Sequence, residues 1–215
     1  MGRVYSKLGD YNKGIELNDK ATSIFKSLGD SASVAGCYNE RGVMHYLLDE
    51  FLVAERLLQR ALTINRAQRN LKEIATNLNN LCLYQGDTEK KLSFIQEAIA
   101  INKNLDAQWS LGENYNNMGK QYYFGEQYSK ALEALQKAYE YAHNIGAKEL
   151  ICDYYEYSSW VYADIGDYDQ AYKRLSQMYA LSKELQSSNK LRNIEQEISY
   201  KRYQDQKYAT EMQEQ

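Results

Sequence analysis

The stretch Gly125 to Gly146, GEQYSKALEALQKAYEYAHNIG, decides the fold. Within it Ala131 and Ala138 stand seven residues apart, which puts two small side chains on one helical face and lets a neighbouring helix approach closely. Working outward, the core of this stretch, KALEALQKAYEY, is echoed by GIELNDKATSIF from Gly14, AERLLQRALTI from Ala54, KLSFIQEAIAI from Lys91 and QAYKRLSQMYAL from Gln170. The second small position of each copy falls at Ala21, Ala61, Ala98, Ala138 and Met178, with spacings of 40, 37, 40 and 40 residues. The first falls at Gly14, Ala54, Lys91, Ala131 and Ala171. A fixed period of this length is the mark of a stacked repeat.

Each copy is preceded by a turn and usually an aromatic residue: LGDY from Leu8, LDEF from Leu48, QGDT from Gln85, GEQY from Gly125 and IGDY from Ile165. A glycine closing one helix supplies a left-handed cap, and an Asp opening the next accepts its first free amides. Upstream of these turns lies another helical pattern: Tyr38, Gly42 and Tyr46, then Tyr115, Gly119 and Tyr122, then Tyr155, Ser159 and Tyr162. Further punctuation at Leu28-Gly29-Asp30, Arg69-Asn70, Leu105-Asp106 and Ile145-Gly146 separates one unit from the next. The unit is therefore helix A, short turn, helix B, short turn.

This alternation of small and aromatic positions resembles the tetratricopeptide repeat (TPR) over residues 1 to about 185. The resemblance implies an all-α, right-handed superhelical solenoid of about five helix hairpins. The repeats would run near 1–29, 30–70, 71–106, 107–146 and 147–187, with 188–215 as a capping or linker helix. The period exceeds the usual 34 or so and the closing proline is missing, so the chain is similar to the longer-period repeats of bacterial signalling regulators and sensor kinases. The extra residues are expected to lengthen both helices and loops. Repeat three is the most degenerate, with Asn79 at the helix A glycine position, Cys82 at the tyrosine and Lys91 at the first small position. Gly2 already falls at a mid-helix glycine position, so the first repeat is expected to be cut. At the other end Leu191, Ile194 and Ile198 continue a 3-4 spacing suited to covering the last repeat.

Composition agrees with an all-helical reading. The chain of 215 residues has no proline, so no ring interrupts a helix. With a formal charge of −3 and scattered Lys and Arg, it shows no basic footprint for nucleic acid. Cys37, Cys82 and Cys152 are far apart and read as packed thiols; no metal and no cofactor is expected. No apolar run is long enough to insert directly in a membrane. No nucleophile with a base and no phosphate loop is found, so the chain is not expected to be an enzyme. His45 reads as a packed or half-buried residue, and His143 as a helix-end residue.

In the TPR family, helix A lines the concave face. The resemblance therefore implies partner contacts from Asn39, Val43 and Tyr46 in repeat two, and from Thr76, Asn77, Asn80 and Leu83 in repeat three. Repeat four would add Asn116, Asn117, Lys120 and Tyr123, and repeat five Glu156, Trp160 and Asp164. The asparagines admit two readings: a ladder of amides for the backbone of an extended peptide, or helix-face residues that meet solvent or the adjacent repeat. Trp160 and Tyr123 suit apolar anchoring or packing between helices. Lys120 is the lone basic candidate in the middle repeats, which disfavours a clamp for C-terminal carboxylates. The expected partner is a protein or peptide, with self-association through the solenoid ends as a second class. The expected setting is the sensory segment of a larger bacterial signal-transduction protein, on the cytoplasmic or periplasmic side of a membrane, or a stand-alone peptide-sensing or assembly adaptor.

Overall fold

A computed structural model of the chain describes residues 10–83 and 87–187. Eight helices follow one another: α1 (Tyr11–Ser27), α2 (Ser31–Leu47), α3 (Phe51–Ala67), α4 (Leu71–Leu81), α5 (Thr88–Asn104), α6 (Gln108–Phe124), α7 (Tyr128–Asn144) and α8 (Lys148–Asp164). A ninth, α9, occupies 168–187. Even-numbered helices are the A helices and odd-numbered ones the B helices, and each packs against the next. Among the described residues there is no strand, and no helix is long and apolar enough to cross a membrane. Residues 1–9 and 188–215, with the cut first repeat and the C-terminal helix expected there, lie outside the described residues.

The extra length of the repeat goes entirely into the helices. All but α4 of the eight are 17 residues long, and three-residue turns such as 28–30, 48–50 and 125–127 join them. Lengthened loops, expected from the sequence, do not occur in these connections. The middle residue of every such turn adopts a left-handed conformation: Gly29, Gly146 and Gly166, but also Asp49, Arg69, Asp106 and Glu126. In the GEQY turn Glu126 takes this conformation at φ 55°, while Gly125 stays at −89°. A side chain there costs about 1 kcal/mol or more, and the turns form because helix packing on both sides fixes them. Asp10, Asp30, Asn70 and Asp167 accept the backbone amides of Lys13, Ser33, Glu73 and Gln170, as the N-cap reading requires.

The small stripe is where helices meet. Ala54, Ala61, Ala98, Ala131 and Ala138 are fully buried. Gly42 and Gly119 face them from the A helices, and a Cβ there would come within 2.8 Å of Leu58 Cγ and 2.5 Å of Leu135 Cγ. Repeat three departs from the others because α4 is only 11 residues long, so α5 begins 17 rather than 20 residues after its partner. Counted from the helix starts, Cys82 rather than Asn79 takes the glycine's place, and Asn79 shares the register of Asn39 and Asn116. Burial pushes the Cys82 thiol up to about 12, which keeps it protonated and inert. At the far end, Tyr168, Tyr172, Leu175 and Tyr179 form an exposed stripe on α9. The matching residues Leu58, Ile95 and Leu135 of α3, α5 and α7, in register with Leu175, are fully covered by the following repeat, whereas Leu175 is 49% exposed.

Candidate functional site

Because every A helix starts 20 residues after the B helix before it, the A helices present their residues in matched rows. The ninth position of the A helices is Asn39, Asn79, Asn116 and Glu156. In the first two cases its side-chain oxygen is a hub. Asn39 receives the Nδ2 groups of Asn77 and Asn80, both at 2.8 Å, while Asn77 in turn accepts from Asn65 at 2.7 Å. One repeat later Asn79 receives Asn114 at 2.7 Å and Asn117 at 2.9 Å, and Asn114 accepts from Asn102 at 2.7 Å. The amides thus join neighbouring repeats, which is the second of the two readings open at the level of sequence. A buried amide needs its partners, since each one left unmade costs about 1–3 kcal/mol.

This network decides which expected contact residues have surface to offer. Asn77 is fully buried and Asn116 is 2% exposed, its Nδ2 donating to the Leu150 carbonyl at 3.0 Å. Neither presents its side chain to a partner. Asn39, Asn80 and Asn117 are half-buried and already bonded to one another's repeats, while Thr76 is exposed and donates to the Lys72 carbonyl. Val43, Leu83 and Tyr46 are half-buried, Tyr46 packing on Phe51 with ring centroids 5.5 Å apart.

Repeats four and five give a different surface. Lys120 extends its ammonium over the Tyr157 ring at 5.2 Å. Tyr157 meets Trp160 edge-on at 5.2 Å, Trp160 meets Tyr123 at 5.8 Å, and the Tyr123 hydroxyl is hydrogen-bonded to Asp164. Lys120, Tyr123, Glu156 and Trp160, expected from the sequence, are therefore drawn into one continuous patch. The expectation did not include Tyr157, Glu113 and Asp153. Glu113 and Asp153 both occupy the sixth position of their helices and Tyr157 the tenth, so an alignment of helix starts, rather than of glycines, would have found them.

The electrostatics of this patch are acidic and partly desolvated. Burial holds the Glu113 carboxyl above its ordinary range, against the opposing effect of its hydrogen bond with Asn79. Burial, and then the charges of Glu156 and Glu113, push Asp153 up to about 6, with Lys120 acting the other way. Burial raises the Tyr157 phenol to about 12, Asp153 and Glu156 adding to it. Between α4 and α6 a polar cavity of about 70 Å³ opens beside Glu113, lined also by Thr76, Asn80 and Ser110. A larger open hollow of about 500 Å³, which includes Tyr139, Tyr155 and Leu181, is built on the flank of α8 that faces α7 and α9. Among the described residues no group of three or more His, Cys, Asp or Glu side chains could hold a metal ion. His45 pairs with Glu50 across a turn and His143 lies against Tyr139 at 5.5 Å, both in structural settings.

Helix hairpins stacked through small residues, with the A helices in rows, define a tetratricopeptide-repeat fold. Residues 1–67 match the sequence model of the tetratricopeptide repeat. In fold the chain is similar to BtubC (BKLC) from P. vanneervenii, at 20% identity over 86% of this chain and 78% of that one, with a TM-score of 0.72. It is similar also to a putative kinesin light chain with nearly identical TPR-like repeats from Podosopora anserina, at 16% identity over 86% and 93% of the two chains, TM-score 0.65. The Rap conjugation gene regulator of the plasmid pLS20, in complex with the Phr* peptide, matches at 16% identity and TM-score 0.72, over 86% of this chain and 52% of the regulator. No curated protein sequence matches the chain.

Proposed function

We propose that this chain is a non-catalytic interaction scaffold that holds an extended peptide or protein segment on the face formed by its A helices. One observation carries the reading: along α6 and α8 that face has half-buried rings and carboxylates, Tyr123, Tyr157, Trp160, Glu113 and Asp153, beyond the residues consumed in joining repeats. Half-buried aromatic side chains at the centre of a face are the usual anchors of an interface. The likeness in fold to a regulator that was solved with a peptide supports it. A peptide selected from a random display library against the protein should lose binding to Trp160→Ala with Tyr123→Ala while helicity and melting temperature hold; undiminished binding would overturn the reading. The finer proposal, a sensory segment of a bacterial signal-transduction protein, rests on the longer repeat period and on that same likeness. An output domain in the same reading frame would support it, and a stop codon directly after Gln215 would overturn it.

A second reading, self-association through the end of the solenoid, is favoured by the exposed stripe on α9. Its test is sedimentation equilibrium: a dimer that Tyr172→Lys with Leu175→Lys dissociates supports it, and a monomer at every concentration rules it out.

A further inference from the structure

We propose that the A-helix face of repeats four and five is a subsite for a positively charged peptide segment, seating a Lys or Arg side chain against Glu113 and Asp153 with the Tyr157 and Trp160 rings as its wall. The proposal rests on the reading of this face as a peptide groove and names the chemistry of the occupant.

The sixth residue of each A helix sets the charge of this face. It is Gly36, then Thr76, then Glu113, then Asp153, so one row on the face changes from neutral to acidic as the solenoid advances. The ninth and tenth positions change with it, from Asn39 and Glu40 in α2 to Glu156 and Tyr157 in α8. The result is three carboxylates, Glu113, Asp153 and Glu156, close enough to raise the protonation of Asp153 through their charges. A single ammonium, Lys120, opposes them, and it is drawn over the Tyr157 ring. Among the described residues no Lys or Arg forms an ion pair with any of the three. Carboxylates that lose water without gaining a cation are costly to the fold, and a cationic ligand relieves that cost on binding.

Two further features point to a donor-rich cation rather than to a metal. The amide chain runs one way: Asn102 donates to Asn114, Asn114 to Asn79, and Asn79 is hydrogen-bonded to Glu113. Glu113 is thus held in place between the 70 Å³ polar cavity on its α4 side and the row it shares with Asp153 on its α8 side. The carboxylates are not clustered tightly enough to hold a metal ion, whereas a guanidinium or ammonium against aromatic faces gains cation–π attraction as well as charge pairing.

The test is fluorescence anisotropy on the full chain with two labelled nonapeptides of the same length, Ala-Lys-Tyr-Lys-Ala-Lys-Tyr-Lys-Ala and its counterpart with Glu in place of every Lys. The proposal predicts binding of the Lys peptide only. Glu113→Gln with Asp153→Asn should weaken it about tenfold or more. Glu140→Gln with Asp169→Asn, which removes the same charge from exposed positions on α7 and α9, should leave it within about twofold. Equal weakening by both pairs would show attraction by net charge alone and overturn the proposal. Binding of the Glu peptide in preference would overturn it while leaving the groove reading in place, and binding of neither would count against both. Both glutamine and asparagine variants keep the shape of the residue replaced, and a retained thermal transition separates lost binding from lost folding.

Discussion

Two seams of this solenoid do the same mechanical job with different chemistry. Between repeats three and four, A helices are joined by carboxamides: Asn102, Asn114, Asn117 and Asn79. Between repeats four and five, the equivalent positions hold Ala142, Tyr154, Tyr157 and Asn116, and rings take over. Tyr139 packs on Tyr154 with centroids 4.8 Å apart, Tyr154 on Tyr155 at 5.2 Å, and Arg174 lies over Tyr154 at 5.3 Å. An amide network specifies one register because every donor must meet its acceptor. A ring cluster gains its energy from area and tolerates small shifts. The first seam fixes how the repeats stack. The second leaves polar capacity unspent at Glu113 and Asp153, where the proposed ligand would sit.

The seams can be broken separately. Tyr154→Ala, which empties a buried ring site, should lower stability by about 3–5 kcal/mol in urea denaturation. Asn79→Ala removes a hub that accepts two amide bonds and should cost about 2–3 kcal/mol, whereas Asn116→Ala, at the same helix position with one bond and one unpaired oxygen, should cost about 1 kcal/mol or less. Equal losses would show that the register argument misplaces the difference between the seams.

A third comparison uses pH. Asp153 has its folded value raised from 3.8 to about 6, so its contribution to stability is full below the lower value and is lost as pH rises through the upper one. Glu113 and Lys120 face it from α6, and Glu149 and Glu156 from its own helix. The melting temperature should therefore fall between pH 4 and 6 in a step that Asp153→Asn reduces, and that variant should melt higher than the parent at pH 7. A step of unchanged size would assign the titration elsewhere. The smallest effects belong to the turns: Glu126→Gly should stabilise, and Gly166→Ala destabilise, by about 1 kcal/mol each, because both positions are left-handed.

The fold was legible in the sequence because the solenoid repeats its packing constraint. Ala54, Ala61, Ala131 and Ala138 are small where a helix crosses and are fully buried, so their spacing reported the architecture directly. The A-helix face was harder to read. Aligning repeats on glycines shifted repeat three, where α4 is short, and Asn79 was placed three residues out of register. The asparagines admitted both a ladder for a ligand and a bond to solvent or the adjacent repeat, since an amide between two helices and one awaiting a peptide have the same composition and differ only in what stands opposite. Glu113 and Asp153 stay hidden in a one-dimensional reading because they are 40 residues apart and meet only when the repeats stack.

A peptide bound as proposed covers the A-helix face of repeats four and five. Amide and indole chemical shifts of the labelled protein, recorded during titration with the Lys nonapeptide, test this most directly. Saturable shifts centred on Glu113, Lys120, Asp153, Tyr157 and the Trp160 indole are expected, with α7 and α9 little changed. Shifts confined to α7 and α9, around Tyr139, Leu181 and the exposed stripe, would contradict it.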